Sequence, residues 1–207
     1  QDTFANNILK GKTNGFFVEL GSNHWRNVNN TIYFEQLLNW KGIMIEYDRT
    51  HLSDYKKFRK NSIHIIEDAT NIDYLSLFGR YNVPNDIDYL SFDLEADNRS
   101  TLTTLELLDK KTVLDNYKFA TITFETDIYR GNYYNTRDIS RKIFQKHGYV
   151  LVFPDVQVIY KNKLCPFEDW WVHPDLVDMS YVNKLKTDKS LLGSNIDYNF
   201  DCSAPQP

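Results

Sequence analysis

The sequence predicts an α/β domain built on a mostly parallel seven-stranded sheet that finishes in an antiparallel hairpin. Three observations predict it. First, Gly15 to Asp48, reading GFFVELGSNHWRNVNNTIYFEQLLNWKGIMIEYD, packs a buried strand, a tight glycine turn, an amphipathic helix and a second buried strand into about thirty residues, the size of a βαβ unit. Second, short apolar runs then alternate with helical periodicity as far as Glu125. Third, two later strands are separated only by Pro154 and Asp155, a spacing that permits only an antiparallel connection.

In chain order, Gln1 to Asn14 is polar with a short apolar set (Phe4, Ile8, Leu9), which predicts a helix capping one end of the sheet. Phe16 to Leu20 is the first strand, and Gly21 follows it where the chain must turn sharply and let a ligand approach bare backbone. Val28, Ile32, Phe34, Leu37 and Leu38 form a partial helical stripe, ended by Lys41 and Gly42 before the strand Ile43 to Tyr47. A helix over roughly His51 to Lys60 leads into the strand Ile63 to Glu67 and the turn Asp68, Ala69, Thr70. Ile72, Leu75 and Phe78 mark a short helix, and Asn82 to Asp86 a loop before the strand Ile87 to Asp93. Ser100 to Leu108 is helical, with Ser100 or Thr101 as N-cap, and Phe119 to Glu125 is the fifth strand. Thr136 to His147 is a helix closed by Gly148, and Tyr149 to Phe153 with Val156 to Lys161 form the hairpin. The boundaries that follow are a cap over 1–14, a core over 15–161 and a C-terminal appendage over 162–207, all in one domain.

Composition narrows the function classes. A chain of 207 residues supports one substantial core. Twenty-four Lys and Arg against 28 Asp and Glu give a net charge of −4, no basic footprint for nucleic acid. Two cysteines, Cys165 and Cys202, make neither a disulfide framework nor a metal-ligand spacing, so a reducing, intracellular setting is expected. No apolar run approaches the ~18 residues of a membrane span, and no signal-peptide layout opens the chain. The start at Gln1 and the Ser-Ala-Pro-Gln-Pro ending read as a domain cut from a longer polypeptide. The sequons at Asn29 and Asn98 fall at the expected pocket edge and read as chance matches.

The strand ends carry the chemistry. Glu46 and Asp48, Glu67 and Asp68, Asp93 and Glu95, Glu125 and Asp127 close successive strands, so a parallel sheet gathers them on one edge as a negative field that repels polyphosphate and attracts cations. The turn Gly21-Ser22-Asn23-His24-Trp25 has one glycine where a dinucleotide site needs G-x-G-x-x-G, which counts against a nicotinamide-dependent oxidoreductase. S-adenosylmethionine, with a sulfonium, an ammonium and ribose hydroxyls, suits such a field. An acid ending the second strand, Glu46, can accept from both ribose hydroxyls, and Glu19 can meet the amino group. Asn23, Asn30 and Thr31 can donate to the cofactor's carboxylate, Asn30 and Thr31 serving equally well as helix caps.

GFFVELGSN, Asn30-Thr31 at the helix start, WKGIMIEYD and IDYLSFDLEADN resemble, in order from about Gly15 to about Tyr149, the FkbM-type S-adenosylmethionine-dependent methyltransferases. The loop departs from the family's usual Asn-Asp-Gly at His24 and Trp25. The resemblance implies the Rossmann-like class I methyltransferase sheet, cofactor contacts from Gly21, Ser22, Tyr47, Ala69 and Asp93, and a contact from Asp68 to the adenine amine. It implies O-methylation of a small-molecule, sugar or glycan hydroxyl in glycan biosynthesis, with a glycosyltransferase domain often in the same polypeptide.

Such a hydroxyl is a poor acid and needs a base or a metal ion. Asp93 and Glu125 end neighbouring strands about 4.8 Å apart, so they can share a proton or bind a divalent cation. Asp93 is therefore the expected general base or metal ligand and Glu125 its support; otherwise both simply cap the helices that follow. Trp170 and Trp171 read as core packing or as a sugar-stacking pair, His173 as a possible acceptor-site residue, and His147 as a helix C-terminal cation. A methyltransferase-like module without catalysis is the remaining alternative.

Overall fold

The computed structural model describes residues 1–197; Cys202 and the Ser203 to Pro207 ending lie outside the described residues. One seven-stranded sheet organises the chain, in the order β3-β2-β1-β4-β5-β7-β6. Its strands are β1 (Phe16–Leu20), β2 (Lys41–Glu46), β3 (Ser62–Ile66), β4 (Asp86–Phe92), β5 (Lys118–Glu125), β6 (Val150–Tyr160) and β7 (Lys163–Val172). The first five pair in parallel, and β7 runs antiparallel between β5 and β6. The order reverses between β1 and β4, the switch point outside which open α/β sheets form their clefts.

The central strands are apolar on both faces because both are covered. On one face Phe17, Met44 and Tyr89 pack with Phe34 of α2 (Ile32–Leu37), Trp40, and Tyr55 of α3 (Leu52–Phe58). On the other, Val18, Ile45, Leu90, Ile122 and Phe124 meet side chains of three helices. These are Tyr74 and Phe78 in Tyr74–Arg80, Leu105 and Leu108 in Ser100–Lys110, and Ile143 and Phe144 in Tyr134–Lys146. The N-terminal helix α1 (Asp2–Ile8) stacks Phe4 on Trp170, with centroids 5.0 Å apart.

The hairpin lies elsewhere than the residue spacing suggests. Pro154 and Asp155 sit inside β6, where the register to β7 shifts, and the chain reverses at Lys161 and Asn162. Those two residues have φ of 48° and 60°, the paired left-handed geometry of a two-residue hairpin turn. Proline removes one ladder donor without ending a strand at a bulge. This bulge is held by Asp155 N donating to Asp169 Oδ1 at 2.7 Å, while Arg141 bonds Asp169 through Nε and Nη2 at 2.7 Å each. Residues 163–172, expected in the appendage, are therefore an interior strand. Trp170 and Trp171 point to its two faces, both into apolar clusters, and are core residues. His173 lies against Tyr149 at the opposite end of the sheet from the acidic edge. Among the described residues no helix is long and apolar enough to cross a membrane.

Candidate functional site

At the carboxyl edge the sheet opens into a cleft of about 910 Å³, and all eight strand-end acids line it: Glu46, Asp48, Glu67, Asp68, Asp93, Glu95, Glu125 and Asp127. That volume is in the range of small-molecule and cofactor sites. Parallel pairing is the cause, since it brings every strand's C-terminal residue to the same edge.

Gly21 sets the floor. Its N–H donates to Ile45 O at 3.0 Å while Asp93 N donates to Leu20 O at 3.0 Å, so the end of β1 is wedged between those of β2 and β4. With φ of 83°, a Cβ there would stand 1.8 Å from the carbonyl oxygen of Asp93. Beside it, Glu46 Oε2 accepts from Asn23 N at 2.7 Å and Oε1 from Asp48 N at 2.8 Å. Each oxygen spends one lone pair on backbone and keeps capacity for a ligand hydroxyl. Tyr47 is exposed at the lip and Ala69 is buried in the wall. Asp68 also lines the cleft while capping its own turn, accepting from Thr70 N at 2.9 Å and Thr70 Oγ1 at 2.7 Å.

Of the expected cofactor contacts, Gly21, Asn23, Glu46, Tyr47, Asp68, Ala69 and Asp93 line the cleft, whereas Glu19, Ser22, Asn30 and Thr31 do not. Glu19 is fully buried behind the wall, where it accepts from Asn29 Nδ2 at 2.9 Å, Asn30 N at 2.9 Å and Thr31 Oγ1 at 3.0 Å. Strand alternation explains it: Glu19 shares a face with Phe17, toward α2 and α3, where its carboxylate bonds the loop from behind. Ser22 is buried too. Asn30 reaches the site from behind, Nδ2 donating to Asp93 Oδ2 at 3.2 Å and to Ser91 Oγ at 3.0 Å.

One end of the cleft holds a group of three acids. Phe92 pairs with Phe124, so Asp93 and Glu125 continue the register side by side. Burial, then hydrogen bonding with Asp93 and that residue's charge, with a further push from Asp127, drive the Glu125 carboxyl far above the carboxylate range. Glu125 is thus the protonated member. Asp127, almost fully buried, accepts from Ala96 N at 3.3 Å through Oδ2 and leaves Oδ1 without a partner. Tyr129, Arg130 and Phe167 complete this end; Arg130, the one cation in the wall among the described residues, donates to Glu95 at 2.8 Å. These three were not legible beforehand. Phe167 lay in a strand taken for an appendage, and nothing in the sequence ties Arg130 to Glu95. Among the described residues no group of three or more His, Cys, Asp or Glu is arranged to hold a metal ion.

Burial raises Glu19 from its ordinary 4.5 to about 7, against the pull of Arg59 and its three donors, and burial likewise raises Glu168 to about 7. The native state therefore holds protons that the unfolded chain has released between pH 4.5 and 7. The contribution of these two carboxyls falls as pH rises through that window, each by on the order of 3 kcal/mol, and Glu125, held protonated far above the carboxylate range, extends the decline beyond it. Denaturant titrations across this range are expected to show that decline, and Glu19→Gln to shrink it.

The sequence matches no family model and no curated protein. Solved structures are similar in fold. A candidate rRNA-methylase from Clostridium thermocellum shares 12% identity at a TM-score of 0.50, with 82% of this chain and 95% of that one covered. A TehB-like SAM-dependent methyltransferase from Corynebacterium glutamicum shares 10% at 0.50, covering 83% and 86%. A candidate methyltransferase from Streptococcus mutans, in complex with SAH, shares 13% at 0.50, covering 82% and 95%. With the strand order and the antiparallel β7, these similarities give the chain the Rossmann-like fold of class I methyltransferases.

Proposed function

We propose that this chain is an S-adenosylmethionine-dependent O-methyltransferase whose acceptor is a sugar or glycan hydroxyl. The observation that carries the reading is Glu46, held at the end of β2 by two backbone N–H groups and facing a carboxylate-lined cleft beside a glycine turn. That donor and acceptor set suits a nucleoside with free ribose hydroxyls and a positive charge, and it disfavours the phosphates of a dinucleotide. The carbohydrate acceptor rests on the resemblance to FkbM-type enzymes, and the acidic wall agrees with a neutral acceptor rather than nucleic acid.

Bound S-adenosylmethionine supplies an electrophilic methyl group on a sulfonium. Glu46 would hold the ribose, Asp68 and Ala69 the nucleobase side, and Asn23 would narrow the loop over the remainder. With the methyl donor bound, Asp93 would take the proton of the acceptor hydroxyl, and the protonated Glu125 would hold Asp93 in place by hydrogen bonding.

Calorimetric titration with S-adenosylhomocysteine and with NAD tests the cofactor, and binding of NAD alone would overturn the reading. Glu46→Ala is expected to weaken S-adenosylhomocysteine by roughly 10- to 100-fold, the loss of hydrogen bonds to a charged acceptor. A labelled-methyl screen over glycosides, peptides and RNA tests the acceptor; methyl transfer to RNA alone would replace the carbohydrate, and none at all would leave a binding module.

A further inference from the structure

We propose that Arg59, which does not reach the cleft, is a positioning residue that locks the loop from Asn23 to Thr31 in the shape that holds Asn23 against Glu46. It follows α3 directly and is fully buried. Its guanidinium spans four partners: Nε donates to Glu35 Oε2 at 2.7 Å, Nη1 to Asn29 Oδ1 at 2.8 Å and to Trp25 O at 3.3 Å, and Nη2 to Thr31 Oγ1 at 2.7 Å. Three of these lie in the loop. Helix α3 adds two more holds, the Tyr55 hydroxyl donating to Asn23 O and the Phe58 ring stacked on Trp25 with centroids 4.1 Å apart.

The loop needs such a grip because Val28 is held in a conformation it does not favour. Asn23 and Val28 both have φ of 49°, and Val28 is β-branched and 74% exposed, so no packing of its own side chain keeps it there. On the front of the same loop, Asn23 N is the group that bonds Glu46 Oε2. The chain of contacts therefore runs from Arg59 through Asn29, Trp25 and Thr31 to the loop backbone and on to the carboxylate assigned to the ribose. A lysine could still neutralise Glu35, but one ammonium cannot make the fork that reaches three points of the loop.

The ligand half of this inference rests on the proposed function; the loop half does not. Arg59→Lys, compared with the wild type, is expected to show amide hydrogen exchange about tenfold faster in residues 23–31 while β1, β4 and β5 keep their protection. S-adenosylhomocysteine affinity is expected to drop about tenfold, and the KM for S-adenosylmethionine to rise with kcat unchanged. Where the lysine variant does not fold, Arg59→Gln with Glu35→Gln, which removes both members of the buried ion pair together, is measured the same way. Wild-type exchange in the loop of a folded variant, faster exchange spread over the whole sheet, or failure of both variants to fold would overturn the proposal. A wild-type protein that ignores S-adenosylhomocysteine would sink the functional reading, and the exchange data would still decide whether Arg59 holds the loop.

Discussion

Asp93→Asn is expected to bind S-adenosylhomocysteine as tightly as the wild type and to transfer methyl groups at least ~100-fold more slowly, the usual contribution of a positioned base. The substitution is nearly isosteric, so the backbone contacts of this position survive: Asp93 N still donates to Leu20 O, and the carbonyl still faces Gly21. Asn30 Nδ2 can still find an oxygen, because the new amide can turn its carbonyl toward it. What disappears is the capacity to take a proton. Removing this negative charge also removes one of the influences that raise Glu125, whose carboxyl then shifts back toward its ordinary value. Labelled-methyl assays with titration calorimetry on the same preparation check both halves, and full activity would take Asp93 out of the mechanism. Glu125→Gln, which keeps a hydrogen-bond donor beside Asp93, is expected to cost far less.

How much of this was legible in the residues follows from which contacts are local. The acidic wall was, because each acid directly follows an apolar run and parallel pairing does the rest; all eight reach one cleft. Gly21 was legible for the same reason. Glu19 was misplaced because a strand-end acid looks alike whether it faces solvent or the interior. Its surroundings are built by Asn29, Thr31 and Arg59, the last of them forty positions away. The antiparallel end of the sheet was anticipated in kind but shifted in position. Pro154 and Asp155 look like a turn, yet the salt bridges of Arg141 to Asp155 and Asp169 hold them in a continuous strand. That shift hid Phe167, and with it part of the cleft wall beside Asp127 and Tyr129.

The field of the cleft has a further consequence for acceptors. Arg130, the single cation in the wall among the described residues, is already paired with Glu95 and lies 3.6 Å from Asp127, and those acids hold its guanidinium firmly charged. It therefore offsets neighbouring carboxylates rather than offering a free site for phosphate. A phosphorylated acceptor would meet uncompensated negative charge at close range, where the effective dielectric is well below that of water.

Gly21→Ala is expected to abolish measurable S-adenosylhomocysteine binding and to lower stability by about 3 kcal/mol, a Tm drop on the order of 10 °C for a chain of this size. Two costs combine at this position. One is conformational, since φ of 83° disfavours any side chain. The other is steric: the added methyl would lie 1.8 Å from the Asp93 carbonyl oxygen and 2.8 Å from its carbon, both backbone atoms that no rotamer change can move. Relief requires separating the end of β1 from that of β4, which pulls on the bonds from Gly21 N and Ser22 N to Ile45 O and carries Asn23 away from Glu46. Gly148→Ala separates the two costs. Its φ of 81° is nearly the same, but nothing lies within 4 Å of the added methyl, so only the conformational cost of about 1 kcal/mol applies and ligand binding should be untouched. Thermal unfolding and calorimetry on the pair test the wedge directly. If the two variants lose equal stability and both still bind, the close approach of β1 to β4 is not what shapes the site.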